Sequence, residues 1–162
     1  MKQNDARKLA MGGVIAALYV ALTFVAAAFG LASGAIQVRL SEALTILPVF
    51  TASAVPGLTV GCVLANLLTG CAPWDVVFGS LATLLGAIGT RLLKNKPYVA
   101  WIPPVVANAV IVPFVLQKVY GVEDAWWYLA LTVGAGELIA CGILGMLLYH
   151  SLKKIPSIKN LK

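Results

Sequence analysis

Long apolar runs separated by short polar or Pro/Gly breaks dominate the chain. They predict membrane-spanning segments near residues 9–30, 41–55, 57–71, 76–93, 98–117 and 126–149. The breaks fall at Ser33-Gly34, Pro56-Gly57, Pro73, the basic run from Arg91 to Pro97, and Gly121 to Asp124. The second and third runs are short, about 15 residues each, where roughly 20 are needed to cross a bilayer core. Two readings are therefore open: two short spans, or one long broken helix.

Composition turns this pattern into a class. Of 162 residues 60% are hydrophobic and only 11% are charged, with a mean hydropathy of +0.93. A soluble domain of this size carries about a quarter charged residues, so a soluble globular protein is excluded. The expected fold is an all-α integral membrane protein, a single membrane domain over 1–162 with six transmembrane helices and cytoplasmic N- and C-termini. No length remains for a soluble catalytic or nucleotide-binding domain, and the first apolar stretch is too long for a cleaved signal peptide.

Charge decides between the two topologies. With six spans, the inner face receives Lys2, Arg7, Lys8, Arg91, Lys94, Lys96, Lys153, Lys154, Lys159 and Lys162, leaving only Arg39 and Lys118 outside. Merging the second and third spans would send the Arg91–Lys96 loop outward, against the positive-inside rule. Short spans are tolerated where neighbouring protein shields them and they line a cavity. The net charge of +6 is thus accounted for by the inner membrane face, and no nucleic-acid partner is called for.

Polar groups without a topological reason gather in the outer half. In the stretch from Leu31 to Glu42, Ile36, Val38 and Leu40 alternate with Gln37, Arg39 and Ser41. That pattern is extended and half-buried, suited to a lid over an outer mouth. Arg39 points either into a pocket or into lipid headgroups. Glu42 follows Ser41, a candidate N-cap, and so either favours the start of the second helix or meets a ligand. Asp75, after Pro73-Trp74, has the same pair of readings for the fourth span. Asn66 lies about one turn from the outer end of its span, either as a helix–helix hydrogen bond or as a ligand contact. Asn108 lies mid-span between Pro103-Pro104 and Pro113, where kinks would free backbone carbonyls.

Glu137 is the strongest single signal. Eleven residues in from Trp126 it reaches about 16 Å depth, near the bilayer midplane. An ionisable group there costs at least about 2.5–3.5 kcal/mol, so it should face the bundle interior and have a partner. Trp74, Trp126 and Trp127 fall at the outer boundary, as an interfacial belt or as a stacking surface for a planar ligand. Gly13, Ala17 and Ala21 recur every four residues on the first span, a small-residue row that permits close docking of another helix. Cys62, Cys71 and Cys141 form no CxxC pair and read as small buried thiols, so neither a metal nor a cofactor is expected.

Three classes of function suit a small polytopic membrane protein. A solute-binding membrane subunit fits the gathering of Arg39, Glu42, Asn66, Asp75, Asn108 and Glu137 beneath a non-helical loop. A membrane enzyme lacks support: His150, the one histidine, falls at the cytoplasmic end of the last span, far from these acids. An ion pathway through Glu137 has no acidic relay continuing to the inner face. The sequence also has no phosphate-binding loop for ATP and no inverted repeat, so uphill uptake would need partner subunits.

At this point a family resemblance emerges. Gln37-Val-Arg-Leu-Ser-Glu-Ala-Leu-Thr45, Gly61-Cys-x-x-Ala-Asn66, Asp75-Val-Val-Phe-Gly-Ser-Leu-Ala-Thr-Leu-Leu85 and Gly134-x-Gly-Glu137 together resemble the QueT family, across about residues 7 to 152. These are substrate-binding S components of energy-coupling factor (ECF) vitamin transporters. The resemblance implies capture of a queuosine precursor, a 7-deazaguanine such as preQ1, with a transmembrane T protein and two ATPase subunits as partners. It also implies docking of the first helix on the T protein and toppling of the subunit to release ligand. Relatives of this kind carry other cargo, cobalamin among them. On this reading the substrate-binding residues are Arg39, Glu42, Asn66, Trp74, Asp75, Asn108 and Glu137, and the docking residues are Gly13, Ala17 and Ala21.

Overall fold

The computed structural model describes residues 3–31 and 37–156. The chain is an all-α membrane bundle, and among the described residues there is no β-strand. Its helices are α1 (Gln3–Ala28), a 3₁₀ helix (Leu40–Val49), α2 (Ala54–Leu68), α3 (Pro73–Leu92), a single 3₁₀ turn (Pro97–Val99), α4 (Ile102–Lys118), α5 (Trp126–Glu137), and α6 (Gly145–Lys153), which a π-helical stretch (Leu138–Leu144) joins to α5. Four stretches are long and apolar enough to cross a bilayer: Asp5–Ala28, Pro73–Leu92, Pro97–Lys118 and Trp126–Lys153. Leu40–Val49 and Ala54–Leu68 are apolar but shorter.

Contacts between segments set their directions. On α2, a Cβ added at Gly57 would lie 2.7 Å from the Gly12 carbonyl oxygen, and one at Gly61 would lie 2.7 Å from Tyr19 Cβ. Chain position rises on both helices together, so α1 and α2 run parallel. At Gly86 and Gly89 of α3, an added Cβ would meet Pro104 and Pro103 of α4 respectively, so that pair is antiparallel. The 3₁₀ helix runs alongside the last helix: Gly136 abuts Gln37, Gly145 abuts Ala43, and the Phe50 ring stacks on Tyr149. The six segments therefore alternate in direction along the chain, and Arg91, Lys94 and Lys96 fall at the same end as the start of α1.

The second segment differs from a regular transmembrane helix for a local reason. Pro48 lies inside it, and its residues Ser41, Glu42, Leu44, Thr45, Ile46, Pro48 and Val49 are buried. A 3₁₀ helix rises about 2.0 Å per residue, against 1.5 Å in an α-helix, so few residues cover more depth. Runs this long are uncommon. This one is enclosed by protein, and its end is tied by Arg91, which donates through Nη1 to the Pro48 carbonyl at 2.9 Å. The expected break at Pro56-Gly57 falls elsewhere. The chain turns at Phe50 to Ser53, and Pro56 lies in the first turn of α2, where a missing N–H leaves no helical bond unmade. Pro103 and Pro104 likewise sit in the first turn of α4, while Pro113 is inside that helix and buried.

The expected lid is described only in part. Residues 32–36 lie outside the described residues, residues 37–39 are extended, and helical structure begins at Leu40. Ser41 does not cap this helix: Arg39, with φ −87° and ψ 105°, occupies that position without a side-chain cap. Ser41 instead accepts a hydrogen bond from Thr23 Oγ1 at 3.0 Å, because its hydroxyl faces α1 and not the helix start.

Two buried clusters fill the bundle. One gathers Ile15 and Tyr19 of α1, Leu44, and Ala54, Leu58, Cys62 and Ala65 of α2. The other packs Ile46, Val49 and Phe50 against Ala100 and Tyr149. In lipid, helices associate through close van der Waals packing of small residues more than through burial of apolar area. Gly61→Leu should therefore cost about 1–3 kcal/mol by overpacking and lower the melting temperature in detergent. Gly13→Leu, at a position with open space around it, should shift stability by no more than about 0.5 kcal/mol.

Candidate functional site

The polar side chains of the interior converge from every long segment. Tyr19 comes from α1, Arg39 and Glu42 from the start of the 3₁₀ helix, Cys62 and Asn66 from α2, Asp75 and Thr83 from α3, Asn108 from α4, and Glu137 with Cys141 from the last helix. Glu42 is 1% exposed, Asn66 1%, Asn108 4% and Glu137 7%. Buried polar groups in such surroundings have to find hydrogen-bond partners or a ligand.

Glu42 is tied down first. The Tyr19 hydroxyl donates to its Oε1, and Thr45 Oγ1 donates to its backbone carbonyl at 2.6 Å. Glu42 lies in the first turn of the 3₁₀ helix, yet its carboxylate is spent on α1 and not on the helix start. Arg39 lies in electrostatic range of Tyr19, Glu42, Cys62 and Asp75, and also of Glu137. Its charge thus bears on the interior cluster.

Glu137 closes α5, and the π-helical stretch begins at the next residue. The thiol of Cys141 donates to Glu137 Oε2 at 3.2 Å and approaches the Glu42 carbonyl at 3.5 Å. Thr45 Oγ1 reaches the same sulfur at 3.3 Å. Gly136 lets the extended segment lie directly on this helix, since an added Cβ would fall 2.0 Å from the Gln37 carbonyl oxygen. Asn108 stands beside Glu137. Among the described residues its Nδ2, together with Glu42 Oε2 and Ser80 Oγ, is buried without a hydrogen-bond partner.

Asp75 and Asn66 form a second lobe. A Cβ at Gly79 would sit 3.1 Å from Asn66 Nδ2 and 3.4 Å from Asp75 Oδ1, so this glycine leaves room for both. Asp75 is not a cap. Ala72 precedes the helix and Pro73 opens it, and the Asp75 carboxylate accepts from the Tyr120 hydroxyl at 2.8 Å. That hydroxyl in turn accepts from the Ala72 amide at 3.2 Å. Partial burial, then the adjacent Asp75 carboxylate, push the Tyr120 phenol up to about 12, so it remains a donor at neutral pH.

Trp74 is placed apart. It is 62% exposed, stacks on Phe78 and lines an apolar groove of about 590 Å³ with Phe114 and Lys118. Gly13, Ala17 and Ala21 lie together on an exposed face of α1, opposite the buried Ile15, Ala16 and Tyr19. Cys62 and Cys141 are buried and all three cysteines are free. Glu42, Glu137 and Cys141 offer one donor atom each within 4.8 Å, a grouping that spacing along the chain does not reveal.

Comparison with known families matches residues 9–154 to the QueT transporter. The chain belongs to the QueT transporter family. It is 34% identical over 86 residues to the queuosine precursor transporter QueT of Lactococcus lactis subsp. cremoris (strain MG1363), a match covering 52% of this chain and 50% of that protein. The chain thus spans about half the length of the curated relative it matches. No solved structure matches it. As a transporter-family member with several apolar spanning helices, the protein is a multi-pass membrane protein.

Sequence reasoning passed over Tyr19, Thr45, Cys62 and Cys141 as parts of this cluster. Tyr19 had one available signal: it falls four residues after Ile15, on the face of α1 opposite the small-residue row. Tyr19→Phe removes the donor to a buried carboxylate and should cost about 1–3 kcal/mol, read as a lower melting temperature of the ligand-free protein.

Proposed function

We propose that this protein is the substrate-binding S subunit of an ECF-type importer, capturing a queuosine precursor, a 7-deazaguanine such as preQ1, from outside the cell. The observation that carries the reading is the buried polar cluster: side chains from every long segment meet in one place, and Glu42 Oε2 and Asn108 Nδ2 are left without partners. Family membership supports transport over catalysis. A deazaguanine offers ring N–H and exocyclic amine donors to carboxylates or amide oxygens, a carbonyl to Arg39 or an asparagine amide, and a flat face for aromatic contact. Arg39, Glu42, Asn66, Asp75, Asn108 and Glu137 supply that chemistry. Trp74 would meet ligand on entry, at the outer rim.

Energy for uptake comes, on this reading, from a T protein and two ATPase subunits. The exposed row of Gly13, Ala17 and Ala21 on α1 supports a role as the docking face, because small residues there let a partner helix approach closely. Mass spectrometry of small molecules that co-purify with the protein tests the substrate, and an intact deazaguanine is the expected species. Recovery of a corrinoid, or of a converted product, would reject it. Glu137→Gln and Asp75→Asn should each weaken binding by about tenfold or more with expression retained, and unchanged affinity in both would remove the site assignment. Ala17→Leu should block co-purification with the T protein while binding to the solitary subunit persists.

A further inference from the structure

The three interior carboxylates fall into two unlike settings. Asp75 accepts a hydrogen bond from the Tyr120 hydroxyl, and it shares the space left by Gly79 with Asn66. Glu42 and Glu137 instead face one another from the 3₁₀ helix and the end of α5, with donor atoms within 4.8 Å. Two carboxylates this close in a medium of low dielectric cannot both ionise without a compensating charge, and a cation seated between them supplies it. Arg39 is in range, but one guanidinium does not balance Glu42, Asp75 and Glu137 together. Glu42 Oε2 is buried and unpartnered, and so is the Asn108 amide beside Glu137. The Asn108 Nδ2, itself a donor, is left to a ligand acceptor, while the free Glu42 oxygen calls for a ligand donor and the carboxylate pair for a compact cation with several N–H donors. A primary ammonium has three. A metal ion fits less well, because Cys141 donates its thiol hydrogen to Glu137 and metal ligation requires a thiolate.

We propose that the Glu42–Glu137 pair is the receptor for a primary ammonium on the ligand, and that it makes the subunit select a cationic deazaguanine over a neutral one. The proposal rests on the function proposed above and adds the role of each acid. Asp75 and Asn66 are left to the heterocycle.

The test compares binding of 7-aminomethyl-7-deazaguanine with that of the same ring carrying a neutral nitrile, using the purified full chain in detergent. Wild type should prefer the amine by roughly tenfold to hundredfold, the range of a charge-assisted contact. In the Glu42→Gln, Glu137→Gln double variant, affinity for the amine should fall by that factor more than affinity for the nitrile. If the double variant does not fold, Glu137→Gln alone should cut the preference by about tenfold. Equal binding of both compounds to wild type overturns the proposal, as does a preference that survives in the variants. A divalent metal in the purified protein whose chelation abolishes binding of both compounds also overturns it. If neither compound binds wild type, the function proposed above fails, an outcome distinct from these.

Discussion

Polar groups inside a bilayer have no water to turn to, and this fold is arranged around that constraint. Glu42 and Glu137 would each cost about 2.5–3.5 kcal/mol or more if left to lipid. They are stable only because the bundle encloses them and supplies Tyr19, Thr45, Cys141 and Asn108 around them. The same requirement explains why the interior cluster draws on every long segment. No single helix could satisfy so many polar atoms by itself.

The 3₁₀ helix is the element that makes the enclosure possible. It places Glu42 against Tyr19 at one end and delivers Pro48 to Arg91 at the other, so one short segment links the polar cluster with the basic end of the bundle. Its backbone would be vulnerable if exposed to lipid, since the tighter helix makes poorer hydrogen bonds. Burial among α1, α2, α3 and the last helix removes that risk. α2 then follows parallel to α1, held close by Gly57 and Gly61.

The last helix carries the other half of the arrangement. Its π-helical stretch begins directly after Glu137 and contains Cys141, whose sulfur contacts both acids' residues. Glu137 and Cys141, four residues apart, share one interior face, while α6 packs Tyr149 on Phe50. Such local widening of a helix is often found at functional sites. On the outside of the bundle α1 keeps its small residues free, which separates a face suited to helix docking from the face that holds the polar cluster.

The amino-acid sequence by itself determined the solvent, the gathering of basic residues at one end of the bundle, and the family. Apolar run lengths, the one-sided distribution of Lys and Arg, and the motifs around Glu42, Asn66, Asp75 and Glu137 carry these because each is a one-dimensional signal: a length, a count or a spacing. The interior orientation of Glu137 was also legible, since a charge within a span has only one favourable place to face. Three-dimensional packing decided the rest. Nothing in the spacing tells that the run from Leu40 would be 3₁₀, that Pro56 would open a helix instead of breaking one, or that Ser41 and Asp75 would turn from capping to meet α1 and Tyr120. Those outcomes follow from competition among neighbours for the same hydrogen bonds. The approach of Glu42, Glu137 and Cys141 is of the same kind: residues about a hundred positions apart meet because Gly136 admits the extended segment, a contact that exists only once the helices have packed.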